Sequence, residues 1–171
     1  MKKNLVLTGM MGVGKTTIGK NLANQLSFGF IDIDKLIEKK EGCSINVIFK
    51  NKSESYFRAL ERTITLKELK KRNFVISLGG GAFLNKSIRL AVKDSSISFW
   101  LDVNVNVLIK RLSKTKKRPL LFKKNLSETV NKIYLERKKT YNEADFRIKC
   151  DSFKPEIITK KILKIYEESR N

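Results

Sequence analysis

The segment Gly9-Met10-Met11-Gly12-Val13-Gly14-Lys15-Thr16 satisfies G-x-x-x-x-G-K-[ST], a spacing that binds phosphate when a strand precedes it and a helix follows. Glycines let such a loop wrap with its N–H groups turned inward, and the helix N-terminus adds positive potential. In that arrangement Gly12, Val13 and Gly14 line the phosphates, Lys15 bridges the outer ones, Thr16 offers its hydroxyl to Mg²⁺, and Thr17 stands in the same turn. The chemistry predicted from this loop is transfer of a phosphoryl group from a nucleoside triphosphate, with Mg²⁺, to a small acceptor.

A second group of acids and bases follows in Phe30-Ile31-Asp32-Ile33-Asp34. Two aspartates two apart at a strand end project to the same side, and both then face the phosphate loop. One carboxylate can hold a water of the Mg²⁺ shell, while the other accepts a hydrogen bond from the acceptor hydroxyl, and its proton. The competing reading makes Asp34 a helix N-cap and Asp32 a turn residue. Histidine is absent, so acid–base chemistry rests on carboxylates, lysine and metal-bound phosphate.

Positioning these groups takes a particular order of elements. Strands are expected at Leu5–Leu7, Phe28–Ile33, Phe74–Leu78, Ile97–Leu101 and Phe146–Cys150. Helices are expected at Lys15–Leu26, Asp34–Glu41, Ser44–Lys50, Ser53–Lys71, Lys86–Val92, Val105–Leu112, Ser127–Asn142 and Pro155–Glu168. This alternation predicts an α/β fold, a three-layer α/β/α sandwich around a five-stranded parallel sheet, with ligands at the carboxyl ends of the strands. Ser113–Lys124 is polar, basic and without apolar period, and reads as a mobile lid over the site, residues 113–124 of one domain spanning 1–171.

Composition narrows the class. A chain of 171 residues with 41% hydrophobic and 32% charged residues fits one soluble globular domain, and no apolar run approaches a membrane span. The start does not read as a signal peptide, so a cytoplasmic location with no membrane partner is expected. Cys43 and Cys150 support neither a disulfide framework nor a zinc site. The net charge of +20 suggests nucleic acid at first sight. However, the 28 lysines are scattered along the chain and no stacking aromatics interleave with them, so no nucleic-acid partner is expected. The positive field instead concentrates anionic substrates.

Beyond the loop and the aspartates, the chain carries Ile45 and Phe49, then Glu54 and Phe57-Arg58-Ala59-Leu60-Glu61, then Gly79-Gly80-Gly81, Arg118-Pro119-Leu120-Leu121, and Arg137 followed by Tyr141. In this order and spacing it resembles the shikimate kinases over nearly its whole length. The resemblance implies a P-loop NTPase fold of nucleoside-monophosphate-kinase type, a monomer, and phosphorylation of the 3-hydroxyl of shikimate by ATP on the way to chorismate. It implies that Asp34 binds the ring hydroxyls, that Arg58 and Arg137 take the carboxylate, and that the Gly79, Gly80 and Gly81 backbone lies along the acceptor. Asp32 and Thr16 serve Mg²⁺ in that pattern. Arg118 swings in from the lid, Arg111 lies on the adenine, and Lys154 and Pro155 border the same pocket. Lys15, Asp34 and Arg118 are its catalytic set, and residues 33–61 its acceptor-binding segment.

The chemistry is reasonable on its own terms. A planar guanidinium grips a carboxylate with two parallel hydrogen bonds, which a lysine cannot match. Glu61, one turn after Arg58, is expected to orient it through an i, i+3 ion pair. A glycine triplet after a strand suits close backbone approach to a ligand. Ile45, Phe49 and Phe57 suit either an apolar wall beside the ring or the core. Two rivals remain: another small-metabolite kinase of the same fold, acting on gluconate or a nucleotide, and a nucleic-acid-binding ATPase.

Overall fold

Asn4–Thr8 forms strand β1, and all five of its residues are buried. A run without polar alternation is what a strand covered on both faces requires. The computed structural model describes residues 3–114, 125–150 and 154–169. The remaining elements, in chain order, are α1 (Lys15–Leu26), β2 (Gly29–Asp32), α2 (Ile33–Glu41), α3 (Ile45–Asn51), α4 (Glu54–Leu69), β3 (Phe74–Ser77), α5 (Lys86–Ser95), β4 (Ser96–Asp102), α6 (Val105–Leu112), α7 (Leu126–Tyr141), β5 (Phe146–Lys149) and α8 (Pro155–Glu168).

The five strands form one sheet in the order β2-β3-β1-β4-β5, and every neighbouring pair is parallel. Helices flank the sheet, so the expected α/β architecture is the one observed. Parallel pairing brings the carboxyl ends into line: Ser77 is level with both Leu7 and Asp32, and Thr8 is level with Trp100. The chain enters β1 at the centre, fills one side with β2 and β3, and then crosses to β4. Such a reversal leaves a crevice at the strand ends.

Local signals set the boundaries. Ser44, Ser53, Asn85 and Asn104 each cap a helix through the side chain, fixing the starts of α3, α4, α5 and α6. A cap of this kind contributes about 1 kcal/mol. Buried Asn4 donates to the carbonyls of Leu69 (3.2 Å) and Lys71 (2.7 Å) and accepts from the Phe74 amide (3.0 Å), so one amide holds the return from α4 into β3.

One expectation fails here. Asp34 does not lie at a strand end beside Asp32, because β2 stops at Asp32 and the helix begins one residue later. Asp32 is the N-cap of α2, its carboxylate accepting from the Lys35 amide at 3.3 Å, and Asp34 lies in the first helical turn. Capping outweighed strand alternation, and the helical rotation sends the two acids to different partners. The assignment of the cap to Asp34 fails for the same reason.

Among the described residues no helix is long and apolar enough to cross a membrane. Residues 115–124, most of the expected lid and including Arg118, lie outside the described residues.

Candidate active site at the strand ends

The phosphate loop leaves β1 and feeds α1. Gly14, the residue before α1, has φ of 97°, a left-handed conformation that glycine adopts without a Cβ penalty. Gly9 faces a different constraint: a Cβ there would stand 2.6 Å from the Leu101 carbonyl oxygen of β4. Lys15 Nζ donates back to the carbonyls of Gly9 (2.8 Å) and Met10 (3.0 Å), which holds the ammonium over the loop. Val13 is buried, whereas Thr16 and Thr17 stand exposed on the first turn of α1. Helix α6 lies on this loop, since a Cβ on Gly12 would meet Leu112 at 3.0 Å and Leu108 at 3.4 Å. Half-buried Arg111 in the last turn of α6 is thereby carried to the phosphate-loop side. Lys154 is the N-cap residue of α8 and Pro155 its first residue.

Thr16 Oγ1 donates to Asp32 Oδ2 at 2.6 Å. Sixteen residues apart in sequence, the two oxygens form a pair at the rim of the phosphate loop. Both are hard oxygen donors of the kind Mg²⁺ takes, so the donor set fits the ion expected from the sequence.

The second basin is organised by Gly79-Gly80-Gly81, which follows β3. Each glycine is overhung by a different candidate. A Cβ on Gly79 would lie 2.5 Å from Glu61 Oε1 and 2.6 Å from Asp34 Oδ1. On Gly81 it would lie 2.5 Å from Arg58 Nη1, and on Gly80 3.5 Å from Arg137 Nη1 and 3.4 Å from the Met11 amide of the phosphate loop. The triplet is therefore a floor without side chains, over which Asp34, Glu61, Arg58 and Arg137 converge from α2, α4 and α7. A side chain on Gly79 or Gly81 would intrude on one of them, whereas one on Gly80 would reach ordinary contact distance.

The charges on this floor are interlocked. Arg58 Nη1 donates to Glu61 Oε2 at 2.7 Å, the i, i+3 pair expected from the sequence, and its Nε and Nη2 reach Glu54 Oε1 at 3.3 Å. Glu61 is only 2% exposed. Burial pushes its carboxyl above the ordinary value, against the opposing pull of the Arg58 guanidinium. Arg137 Nη1 donates to the Gly80 carbonyl at 2.9 Å, and the Tyr141 hydroxyl donates to the same oxygen. Lys15 holds the loop carbonyls of Gly9 and Met10 and Arg137 that of Gly80, where the triplet approaches the Met11 amide and brings the phosphate loop and the basin edge to edge.

The apolar trio behaves differently. Phe57 is buried in the core, and its ring packs on Phe49 with centroids 4.8 Å apart. The Arg58 guanidinium lies 5.1 Å from the Phe57 centroid, so Phe57 supports the arginine from beneath. Ile45 and Phe49 are half-buried and packed against the core.

Two contributors were not singled out from the sequence. Tyr141 entered only as the end of a motif, although its spacing of four from Arg137 places both on one helical face. Asp102, at the end of β4, accepts from Tyr134 Oη (3.0 Å) and from Arg147 Nε (2.9 Å) and Nη2 (2.6 Å), tying α7 to β4 and β5. Nothing local in the sequence marks that triad.

Comparison with known proteins identifies the family of the chain. The family model described as shikimate kinase matches residues 11–167. A shikimate kinase from Sulfurihydrogenibium is 43% identical over 161 residues, covering 94% of this chain and 96% of that protein. The solved structure of the Acinetobacter baumannii shikimate kinase in complex with shikimate superposes with a TM-score of 0.92 at 30% identity, covering 98% of this chain and 94% of that one. A gluconokinase from Sinorhizobium meliloti superposes with a TM-score of 0.60 at 14% identity, which shows a shared fold alone.

Proposed function

Since the chain belongs to the shikimate kinase family and is an ATP-dependent kinase acting on shikimate, we propose that the basin over Gly79–Gly81 holds the acceptor and that its 3-hydroxyl takes the γ-phosphoryl group. The observation that carries this reading is the convergence of Asp34, Arg58 and Arg137 on the glycine triplet, where a Cβ on Gly80 would lie 3.4 Å from the Met11 amide nitrogen of the phosphate loop.

Arg58 and Arg137 grip the acceptor carboxylate. Glu61 stays on Arg58 as its buried partner, and exposed Glu54, at the longer 3.3 Å contact, gives way to the incoming acid. Asp34 orients the hydroxyl nucleophile and receives its proton as the oxygen bonds to the γ-phosphorus and the bond to the β–γ bridging oxygen breaks. Lys15 exchanges its two loop carbonyls for the outer phosphate oxygens, following the charge as it develops. Thr16 and Asp32 are the residues that would hold Mg²⁺, which when bound neutralises phosphate charge. Arg111, Lys154 and Pro155 are assigned to the nucleotide, and Arg118 to the transferring phosphate, from the sequence pattern. Ile45, Phe49 and Phe57 wall the ring side of the basin. The resemblance also supports a cytoplasmic monomer of one domain without a nucleic-acid partner, which sedimentation of the purified chain tests in part.

The deciding experiment is ADP release by the purified chain with shikimate, gluconate or a nucleoside monophosphate as the sole acceptor. Shikimate-dependent release is expected, with Asp34→Asn lowering kcat by about 10²-fold or more. Release that needs gluconate or a nucleotide instead would replace this reading.

A further inference from the structure

The Gly80 carbonyl is the one backbone group of the triplet fastened by two side chains of a single helix. An acceptor oxygen has two lone pairs. Arg137 Nη1 takes one at 2.9 Å, and the Tyr141 hydroxyl, one helical turn further along α7, takes the other. Tyr141 has no exposed surface at all. Its ring leans on Trp100 of β4 with centroids 5.9 Å apart, and its oxygen lies 3.9 Å from the Met10 sulfur in the phosphate loop. Packing against Trp100 would be served equally by phenylalanine. The buried hydroxyl carries a desolvation cost, and its strong partner is Gly80. Burial pushes the phenol above its usual range, against the pull of Arg137, so it remains a protonated donor at neutral pH.

A guanidinium that recognises a carboxylate with parallel hydrogen bonds needs its plane fixed. Arg137 has one nitrogen on Gly80, and the aim of the others depends on where that peptide sits. The triplet has no side chains of its own to hold it. We propose that Tyr141 is a positioning residue for the acceptor: its hydroxyl locks the Gly80 peptide against β4 and the phosphate loop, and so sets the orientation in which Arg137 meets the acceptor carboxylate. This rests on the reading that Arg137 takes that carboxylate.

The structure supplies a matched control. Tyr166 is also fully buried and donates its hydroxyl to a backbone carbonyl, that of Lys3 at 2.7 Å, in the contact between α8 and the start of β1. Deleting either hydroxyl is the same chemical change in two places. Kinetics and thermal midpoints of Tyr141→Phe, Tyr166→Phe, Arg137→Lys and the Arg137→Lys/Tyr141→Phe double variant therefore separate positioning from bulk stability. Tyr141→Phe is expected to raise KM for shikimate about fivefold, the size of one lost hydrogen bond, with KM for ATP within about twofold. Tyr166→Phe lowers the thermal midpoint without moving either KM. In the Arg137→Lys background, Tyr141→Phe adds less than about twofold, because the two side chains act as one unit. Equal rises in both KM values, the same split in Tyr166→Phe, or full additivity with Arg137→Lys would overturn the positioning role. An unaltered shikimate KM in Tyr141→Phe alone overturns this proposal and leaves the site reading standing, whereas an unaltered value in Arg137→Lys overturns both.

Discussion

The phosphate loop and the basin over the glycine triplet meet at Gly80 and Met11, yet they are built in opposite ways. The loop is continuous, from Gly9 to Thr16, and its lysine is held by carbonyls five and six residues away. The basin is assembled from α2, α4, the turn after β3 and the end of α7, with Arg137 reaching a carbonyl 57 residues away and Tyr141 one 61 residues away. Charge is managed differently too. The loop relies on backbone donors and a helix terminus, which any sequence of the right spacing supplies. The basin relies on side chains paired in the interior, where Glu61 is almost completely buried and Arg58 is its direct partner. A continuous motif tolerates change around it. An assembled one depends on every element that carries a member.

This contrast predicts a graded response to substitution. Lys15→Ala gives the largest effect, a fall in kcat of about 10²–10³-fold from the loss of charge stabilisation, with direct shikimate binding kept. Weakened shikimate binding in that variant, read by calorimetry, would mean that the two regions are not separable. Arg58→Lys comes next. It keeps the charge but loses the fork, and should raise KM for shikimate about tenfold to a hundredfold while KM for ATP stays put.

Gly79→Ala tests the floor itself. Its Cβ would press on Glu61 and Asp34 together at 2.5 and 2.6 Å. The expected result is a loss of about 1–3 kcal/mol in denaturant unfolding together with a raised shikimate KM. Gly42→Ala is the natural comparison: its Cβ would meet nothing within 4 Å, so its cost comes from the backbone alone, φ being 67°.

The smallest effect concerns pH. The Glu61 carboxyl titrates above 4.5 in the folded chain because it is buried. A raised folded value means that the proton favours the folded state. That contribution is complete below the ordinary carboxylate value and is lost as pH rises through the folded one. Glu61→Gln has no such titration. Its stability relative to the parent should therefore improve as pH climbs from 4.5 through the folded value and then level off, as urea midpoints across a pH series would show. A difference that stays flat would mean that the buried carboxyl is not shifted upward.

Much of the fold was legible because its signals are local. Alternating apolar runs, polar caps such as Ser44 and Ser53, and the phosphate-loop glycines each act within a few residues, and they gave the strand–helix alternation with ends shifted by up to three residues, the most at the end of α5. Asp34 was misplaced because two local signals competed. Strand alternation set it beside Asp32, but Asp32 capped a helix and ended the strand early. Arg58 and Glu61 could be paired in advance because they are three apart on one helix. The meeting of Asp34 and Arg137 at the glycine triplet was suggested by the family resemblance alone, since no pattern within α2 or α7 says that they overhang the same three glycines.

The sequence alone determined that a triphosphate loop follows the first strand, that the sheet is parallel, and that an arginine–glutamate pair lies on the fourth helix. These follow from spacing along a helix or strand, where geometry is fixed by the backbone. Tertiary structure decided which acid meets Thr16 and which meets Gly79, and that one carbonyl would receive both Arg137 and Tyr141. Those contacts depend on how helices settle against the sheet, a matter of packing between segments that no local rule encodes.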